Sequence, residues 1–257
     1  MSNDRMEYDV ILVGGSPGNL ALAHRLVQIA KDKDVQISIA LLEKAREFGG
    51  HNISGAISNP HVIKKLFPNY EELGFPIEGV CTESHFSVLG QNNKVDLPNF
   101  ALPKELDKTG SFILTLSQVV AWMANHLETV LKDCPNVTID FLPGFAAQEI
   151  IYEGDTVVGV RVADSGNANE DNIYAKLTVF GDKGFISQDL ITKFNLRKTA
   201  QIWSVGVKEV WEIPEDLEGK VWHTLGAPIT DGTFGGGFVY GMKIGRASCR
   251  ERVSSPV

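Results

Sequence analysis

Tyr8-Asp9-Val10-Ile11-Leu12-Val13-Gly14-Gly15-Ser16-Pro17-Gly18-Asn19-Leu20-Ala21-Leu22-Ala23-His24-Arg25-Leu26-Val27 is the stretch whose reading decides the fold. Tyr8 to Val13 reads as a buried strand and Gly14 to Asn19 as a tight turn. Leu20 begins a helix that runs to about Ala30, where the polar Lys31-Asp32-Lys33-Asp34 loop stops it. Val35 to Leu42 is a second strand, ending in Glu43-Lys44. Strand, glycine turn, helix and strand in this order predict a right-handed βαβ unit with a parallel strand pair. Such a turn lets the backbone approach a pyrophosphate, with the amides and positive dipole end of the helix facing the phosphates. Glu43 is placed to accept hydrogen bonds from a ribose. Ser16 and Asn19 stand at the second and third glycine positions of the usual pattern. The turn is therefore either an atypical dinucleotide cradle or a plain structural connection.

The 257 residues suffice for one large core or two modest ones, and 43% apolar with 22% charged residues is a globular balance. A net charge of −8 without a basic stripe argues against a nucleic-acid partner. Cys81, Cys134 and Cys249 show neither metal-ligand spacing nor a disulfide framework, which fits a reducing compartment. Met1 to Asp9 is polar and acidic, with no sign of a signal or transit peptide. No apolar run reaches the ~18 residues that span a bilayer. Any membrane contact is expected from one side only.

Asn59-Pro60 reads as a helix start, an N-cap followed by proline at the first helical position. The helix it opens places Val62, Ile63, Leu66 and Phe67 on one face, with Lys64 and Lys65 beside them. Ser117 is expected to cap a longer helix with Val120, Met123, Leu127, Val130 and Leu131 in one stripe. From Val137 onward the texture is β-rich. Val137 to Leu142 is a strand, Ala147 to Tyr152 and Thr156 to Ala163 form a hairpin around Glu153-Gly154-Asp155, and Ile173 to Phe180 is a further strand. Gln201 to Ile213, Val221 to Gly226 and Phe238 to Tyr240 read as antiparallel strands. A nucleotide-binding half followed by an antiparallel sheet is the layout of two-domain flavoproteins. Ile244-Gly245-Arg246-Ala247-Ser248-Cys249-Arg250-Glu251-Arg252-Val253 lacks apolar periodicity and also matches the translation of a common sequencing adapter. Residues 243–257 are accordingly expected to be a non-native tail outside the fold, on an N-terminal portion of a longer protein.

Several blocks, in order, resemble the electron transfer flavoprotein–ubiquinone oxidoreductases and their FixC-type relatives. They are Gly50-His51-Asn52-Ile53-Ser54-Gly55-Ala56, Leu66-Phe67-Pro68-Asn69-Tyr70 and Pro143-Gly144-Phe145-Ala146-Ala147. Gly206-Val207-Lys208-Glu209-Val210-Trp211-Glu212-Ile213-Pro214, His223-Thr224-Leu225-Gly226-Ala227-Pro228 and Thr233-Phe234-Gly235-Gly236-Gly237-Phe238 follow. The glycine turn is common to many dinucleotide-binding proteins; the Lys-Glu-x-Trp and Phe-Gly-Gly blocks are far more specific.

The resemblance implies an α/β fold: a discontinuous, incomplete Rossmann-like FAD-binding domain over residues 1–200, then the start of an antiparallel ubiquinone-binding domain over 201–242. It implies FAD with its pyrophosphate over Gly14, Gly15, Ser16, Pro17, Gly18 and Asn19, and its adenosine ribose near Glu43 and Lys44. Ala147 lies on the strand passing the adenosine. His51, Ser54 and Gly55 belong to the flavin segment, where His51 either faces the flavin or bonds a backbone group of its own loop. Asp182, in a shortened Gly181-Asp182-Lys183-Gly184 loop, is matched to a ribityl hydroxyl. Thr115 stands where relatives carry arginine, and asparagine at position 19 is expected to crowd the packing of helix on strand. Gly235 and Gly236 match quinone-contacting glycines, or alternatively mark a β-bulge or close strand approach. Residues 54–74 match a segment that dips into one leaflet. The implied activity passes electrons from reduced electron transfer flavoprotein to ubiquinone on a membrane surface, expected to be the cytoplasmic side of a prokaryotic inner membrane. The family's [4Fe–4S] cluster needs four cysteines, which the three scattered here do not supply. A prenyl-lipid reductase or aromatic monooxygenase on the same scaffold, or a non-catalytic relative without FAD, are the competing readings.

Overall fold

The computed structural model describes residues 6–52, 55–164, 170–182, 185–200, 203–214, 216–229, 234–242 and 246–255. In chain order they form β1 (Met6–Val13), α1 (Pro17–Lys33), β2 (Ile37–Glu43), β3 (Gly55–Ser58), α2 (Pro60–Leu66), β4 (Gly79–Val80), β5 (Glu83–Leu89), β6 (Lys94–Leu97), β7 (Phe112–Thr115) and α3 (Leu116–Leu131). Then come β8 (Val137–Pro143), β9 (Phe145–Glu153), β10 (Thr156–Asp164), β11 (Glu170–Phe180), α4 (Phe185–Lys193), β12 (Trp203–Glu212), β13 (Lys220–Gly226), β14 (Phe234–Gly241) and β15 (Arg246–Ser255). They divide into two compact units, Met1–Asn52 with Ser117–Lys198, and Ile53–Leu116 with Thr199–Val257.

The first unit is built on one sheet of order β8-β2-β1-β11-β10-β9. β8, β2, β1 and β11 run parallel, and β9 and β10 add an antiparallel hairpin. Parallel strands covered on both faces read as continuous apolar runs. Accordingly Val10–Val13 of β1 and Ile39–Leu42 of β2 are buried throughout. Ile11, Val13, Ala40, Leu42, Val160, Val162 and Ile173 form one core cluster. Helix α1 begins at Pro17 because Ser16 caps it, its Oγ accepting the Asn19 amide at 3.3 Å. It reaches Lys33, one turn beyond the expected end. Asp34, in the left-handed conformation, closes it by donating its N–H to Ala30 O and Lys31 O. α3 starts at Leu116, so Ser117 lies inside its first turn rather than capping it. Val120, Met123 and Leu127 are buried as the stripe predicts, joined by Val119 and Ala124.

The second unit contains a six-stranded sheet of order β12-β15-β14-β13-β5-β6 and a three-stranded sheet β3-β7-β4. Cys81, Ile113, Val221, Tyr240 and Met242 make its core cluster. β5 pairs in parallel with β13 from Glu83↔Lys220 to Leu89↔Gly226, which draws residues 53–116 into the second unit. β13 and β14 pair antiparallel, as their sequences suggest. β12, however, pairs with β15, and β15 also pairs with β14. The expectation that residues 243–257 lie outside the fold is therefore corrected for Arg246–Ser255. The physical reason is that ladder hydrogen bonds come from the backbone, so an extended segment of any composition can fill the space between two strands. In α2, Asn59 Oδ1 accepts the His61 amide and Pro60 stands at the first position, as predicted. Its apolar face is largely spent on the unit's interior: Ile63 and Phe67 are buried, while Val62 is 64% exposed. Among the described residues no helix is long and apolar enough to cross a membrane.

Helices α1 and α3 meet at His24, which is buried and donates from Nε2 to the Met123 carbonyl at 3.0 Å. Burial pushes its imidazole down to about 4 from 6.5. The unfolded imidazole takes up a proton below about pH 6.5 and the folded one only near 4. The stability His24 contributes is thus complete above pH 6.5 and is lost as pH falls towards 4. Thermal melting across that window should show a falling midpoint in the native chain and a shallower fall in His24→Gln. His223, also pushed down to about 4 by burial, keeps the slope from vanishing.

Candidate functional site

β1 ends at Val13 and the chain turns sharply at Gly14, whose φ of +94° favours glycine. Gly15 is glycine for want of space. A Cβ there would lie 2.6 Å from the Phe48 ring and 2.8 Å from Glu43 Oε2. Phe48 is itself held edge-on against Phe141, with ring centroids 5.9 Å apart. Glu43 closes the turn from β2: Oε2 accepts the Gly15 amide at 3.0 Å and Oε1 accepts the Ala45 amide at 2.7 Å. Each carboxylate oxygen retains a lone pair, so the group remains an acceptor for a sugar hydroxyl.

Asn19 does not crowd the turn. Its Nδ2 donates to Val13 O at 3.0 Å and to Gly14 O at 2.9 Å. The side chain fits because Gly181 faces it; a Cβ on Gly181 would meet the carboxamide at 2.5–2.7 Å. Ser16 spends its hydroxyl on the helix cap. Gly18 is exposed, and a Cβ there would meet only Ser16 Oγ, at 3.8 Å.

A cleft of about 360 Å³ opens over this turn. Gly14, Gly15 and Ser16 line one side, Glu43 and Lys44 a second, and Phe145–Gln148 of β9 a third. Gly181, Asp182 and Ile186 complete it together with His51 and Asn52. The structure thus brings together Gly14, Gly15, Ser16, Glu43, Lys44, His51, Ala147 and Asp182. Pro17, Gly18 and Asn19 begin α1 and do not line the cleft. Gly55 and Thr115 belong to the second unit, where they face each other across the β3–β7 pair. There the Thr115 hydroxyl donates to Glu78 Oε1 at 3.0 Å. Ser54, Lys183 and Gly184 lie outside the described residues. Phe48 and Gln148 carry no motif, and sequence reading had no signal for them.

The residues present fit a dinucleotide: the turn excludes side chains at Gly15, the Glu43 carboxylate at the end of β2 keeps lone pairs for a sugar hydroxyl, and Ala147 leaves a low wall on β9. In the second unit Gly235 and Gly236 lie within β14. A Cβ on Gly236 would overlap the Thr224 carbonyl of β13, so close strand approach already demands glycine there. His223 Nε2 lies 3.1 Å from the Tyr240 hydroxyl on the same two strands.

Residues 203–250 match the family described as ETF-QO, ubiquinone-binding. Over 95% of its length the chain is 35% identical to the electron transfer flavoprotein-ubiquinone oxidoreductase of Pseudomonas aeruginosa. Along nearly its whole length the chain is similar to the electron transfer flavoprotein–ubiquinone oxidoreductases. It spans about half the length of the curated relatives it matches, 46% for the Pseudomonas protein. A geranylgeranyl bacteriochlorophyll reductase-like protein of Thermoplasma acidophilum superposes with a TM-score of 0.64 at 15% identity, over 98% of this chain and 57% of that one. A myxobacterial chondrochloren halogenase, described as a variant of the FAD-dependent halogenases, gives 0.61 at 17%, over 96% and 53%. At these identities the likeness shows the two-domain flavoprotein fold.

Buried Gly15 and exposed Gly18 should respond oppositely to one added methyl. Gly15→Ala drives a Cβ into Phe48 and Glu43 and should lower stability by about 1–3 kcal/mol. Gly18→Ala has room and should leave stability unchanged or raise it by about 0.4–1 kcal/mol. Urea denaturation of both variants checks the contrast.

Proposed function

We propose that this chain is part of an electron transfer flavoprotein–ubiquinone oxidoreductase, holds FAD in the cleft of its first unit and contributes to passing electrons from reduced electron transfer flavoprotein to ubiquinone. The observation that carries the reading is the convergence of the Gly14–Ser16 turn, Glu43, Ala147 and Asp182 on one cleft. Bound FAD would supply the redox chemistry for a quinone that takes up two electrons and two protons, since the residues lining the cleft include no cysteine, tyrosine or tryptophan. The chain's own residues bind and orient. The backbone at Gly14–Ser16 admits the pyrophosphate, Glu43 accepts from the ribose, Ala147 lies beside the adenosine, and Asp182 offers a carboxylate to the ribityl chain. Gly235 and Gly236 present bare backbone to a flat quinone ring, a role compatible with the close strand approach that Gly236 also serves. The [4Fe–4S] cluster implied by the resemblance requires four thiolates and is assigned outside these 257 residues, which hold three cysteines.

The same reading includes contact with one membrane leaflet. Residues 54–74 are not its best support, since Ile63 and Phe67 are buried. Phe100 is 92% exposed and Val95 54%, on the stretch that also carries Lys94 and Lys104. Large exposed apolar groups beside lysines suit a lipid surface, where the amines reach head groups.

Purified chain should bind FAD, seen as a flavin absorbance band retained through gel filtration, and its melting temperature should rise with added FAD. A folded protein with neither response sinks the cofactor assignment. NADH oxidation by the flavin-loaded chain without electron transfer flavoprotein would favour the reductase or monooxygenase reading instead. Co-sedimentation with anionic vesicles should weaken more in Phe100→Asp than in Val62→Asp; the reverse order would return the contact to α2.

A further inference from the structure

Gly14 O and Gly15 N are the two ends of one peptide plane, and each end is held by a different side chain. The oxygen accepts Asn19 Nδ2 at 2.9 Å, and the N–H donates to Glu43 Oε2 at 3.0 Å. A trans peptide is rigid, so holding its oxygen aims its N–H. With glycine on both sides, and Gly14 at a φ of +94°, this peptide meets little steric resistance to turning over. The Asn19 carboxamide removes that freedom. It is 3% exposed, and both its protons are engaged, one on Val13 O and one on Gly14 O. Val13 O also accepts the Gly181 amide at 2.9 Å, so Asn19 sits where β1 and the end of β11 are tied together. Gly181 is what makes the room, since any Cβ there would strike the carboxamide.

We propose that Asn19 is a positioning residue which, through the Gly14–Gly15 peptide, sets the orientation of the Glu43 carboxylate towards the ribose of an adenine nucleotide, with Gly181 as its steric complement. This rests on the reading that Glu43 faces the ribose. The asparagine replaces the close-packing glycine of the usual turn with a hydrogen-bonded clamp. A glycine restored at position 19 would leave Gly14 O without this donor and let the Gly15 N–H swing away from Glu43.

The test measures binding of ADP and of 2′,3′-dideoxy-ADP to the full chain by calorimetry, in native protein, Asn19→Gly, Glu43→Gln and the double variant. Native protein should prefer ADP by roughly tenfold or more, the worth of a hydrogen bond to a charged group. Asn19→Gly should cut the preference to near that of Glu43→Gln, and the double variant should lose nothing further. Equal weakening of both nucleotides with the preference kept would overturn the proposal, because packing alone predicts that outcome. A second readout needs no nucleotide. The Gly15 amide proton, shifted downfield by the carboxylate in ¹⁵N–¹H spectra, should move upfield in Asn19→Gly, and an unmoved resonance overturns the relay. If Asn19→Gly does not fold, native protein still decides: both Asn19 side-chain protons should exchange slowly, and rapid exchange overturns the clamp. Absence of ADP and FAD binding in native protein would instead defeat the cofactor reading, while the Gly15 resonance continues to report on the relay.

Discussion

The first unit depends on how closely the chain packs where β1 ends. Four elements meet there within a few ångströms: the last residue of β1, the first turn of α1, the carboxylate at the end of β2, and the residues following β11. At Gly15 and at Gly181 an added methyl would have to occupy space already filled. That crowding is sustained by the two central strands behind it, whose apolar runs are buried on both faces and leave the strand ends little room to shift. The cleft is the outer side of the same junction. Its floor is backbone because nothing larger fits.

Within that constraint the turn trades one set of interactions for another. Ser16 caps α1 and engages the Asn19 amide, an amide that a glycine-rich turn would leave facing a phosphate. Asn19 gives up close glycine packing and gains two hydrogen bonds to strand-end carbonyls. Glu43 is held by two backbone amides and so reaches the cleft already oriented. The first turn therefore offers fewer free amides than an all-glycine loop, and the Glu43 carboxylate is better organised than the residue types alone suggest. Affinity in such a site leans on preorganised acceptors rather than on the number of helix-terminal donors.

Much of the first unit was legible in the sequence. The βαβ start, the Glu153-Gly154-Asp155 hairpin and the apolar stripe of α3 follow from local periodicity, caps and turn residues, which act over a few neighbours. Less of the second unit was. β5 enters the sheet by pairing in parallel with β13, a contact between residues far apart in the chain that leaves no local mark. Thr115 illustrates the same gap at the level of a side chain. It stands where relatives carry arginine, and the structure gives its hydroxyl to Glu78 in the second unit. Gly236 shows the converse, a motif residue whose glycine identity strand packing alone would require.

By itself the sequence determined that a strand, a glycine turn and a helix would open the chain as a βαβ unit, because those choices depend on φ and hydrophobic period within a few residues. It also marked the family, through blocks too specific to arise from composition. Only the tertiary structure decided how Asn19 could stand in a glycine position, which of the matched residues line one cleft, and that residues 53–116 join the second unit. Those outcomes turn on the space left by distant residues, Gly181 for Asn19 and β13 for β5, and free space is a property of the packed chain rather than of any segment in it.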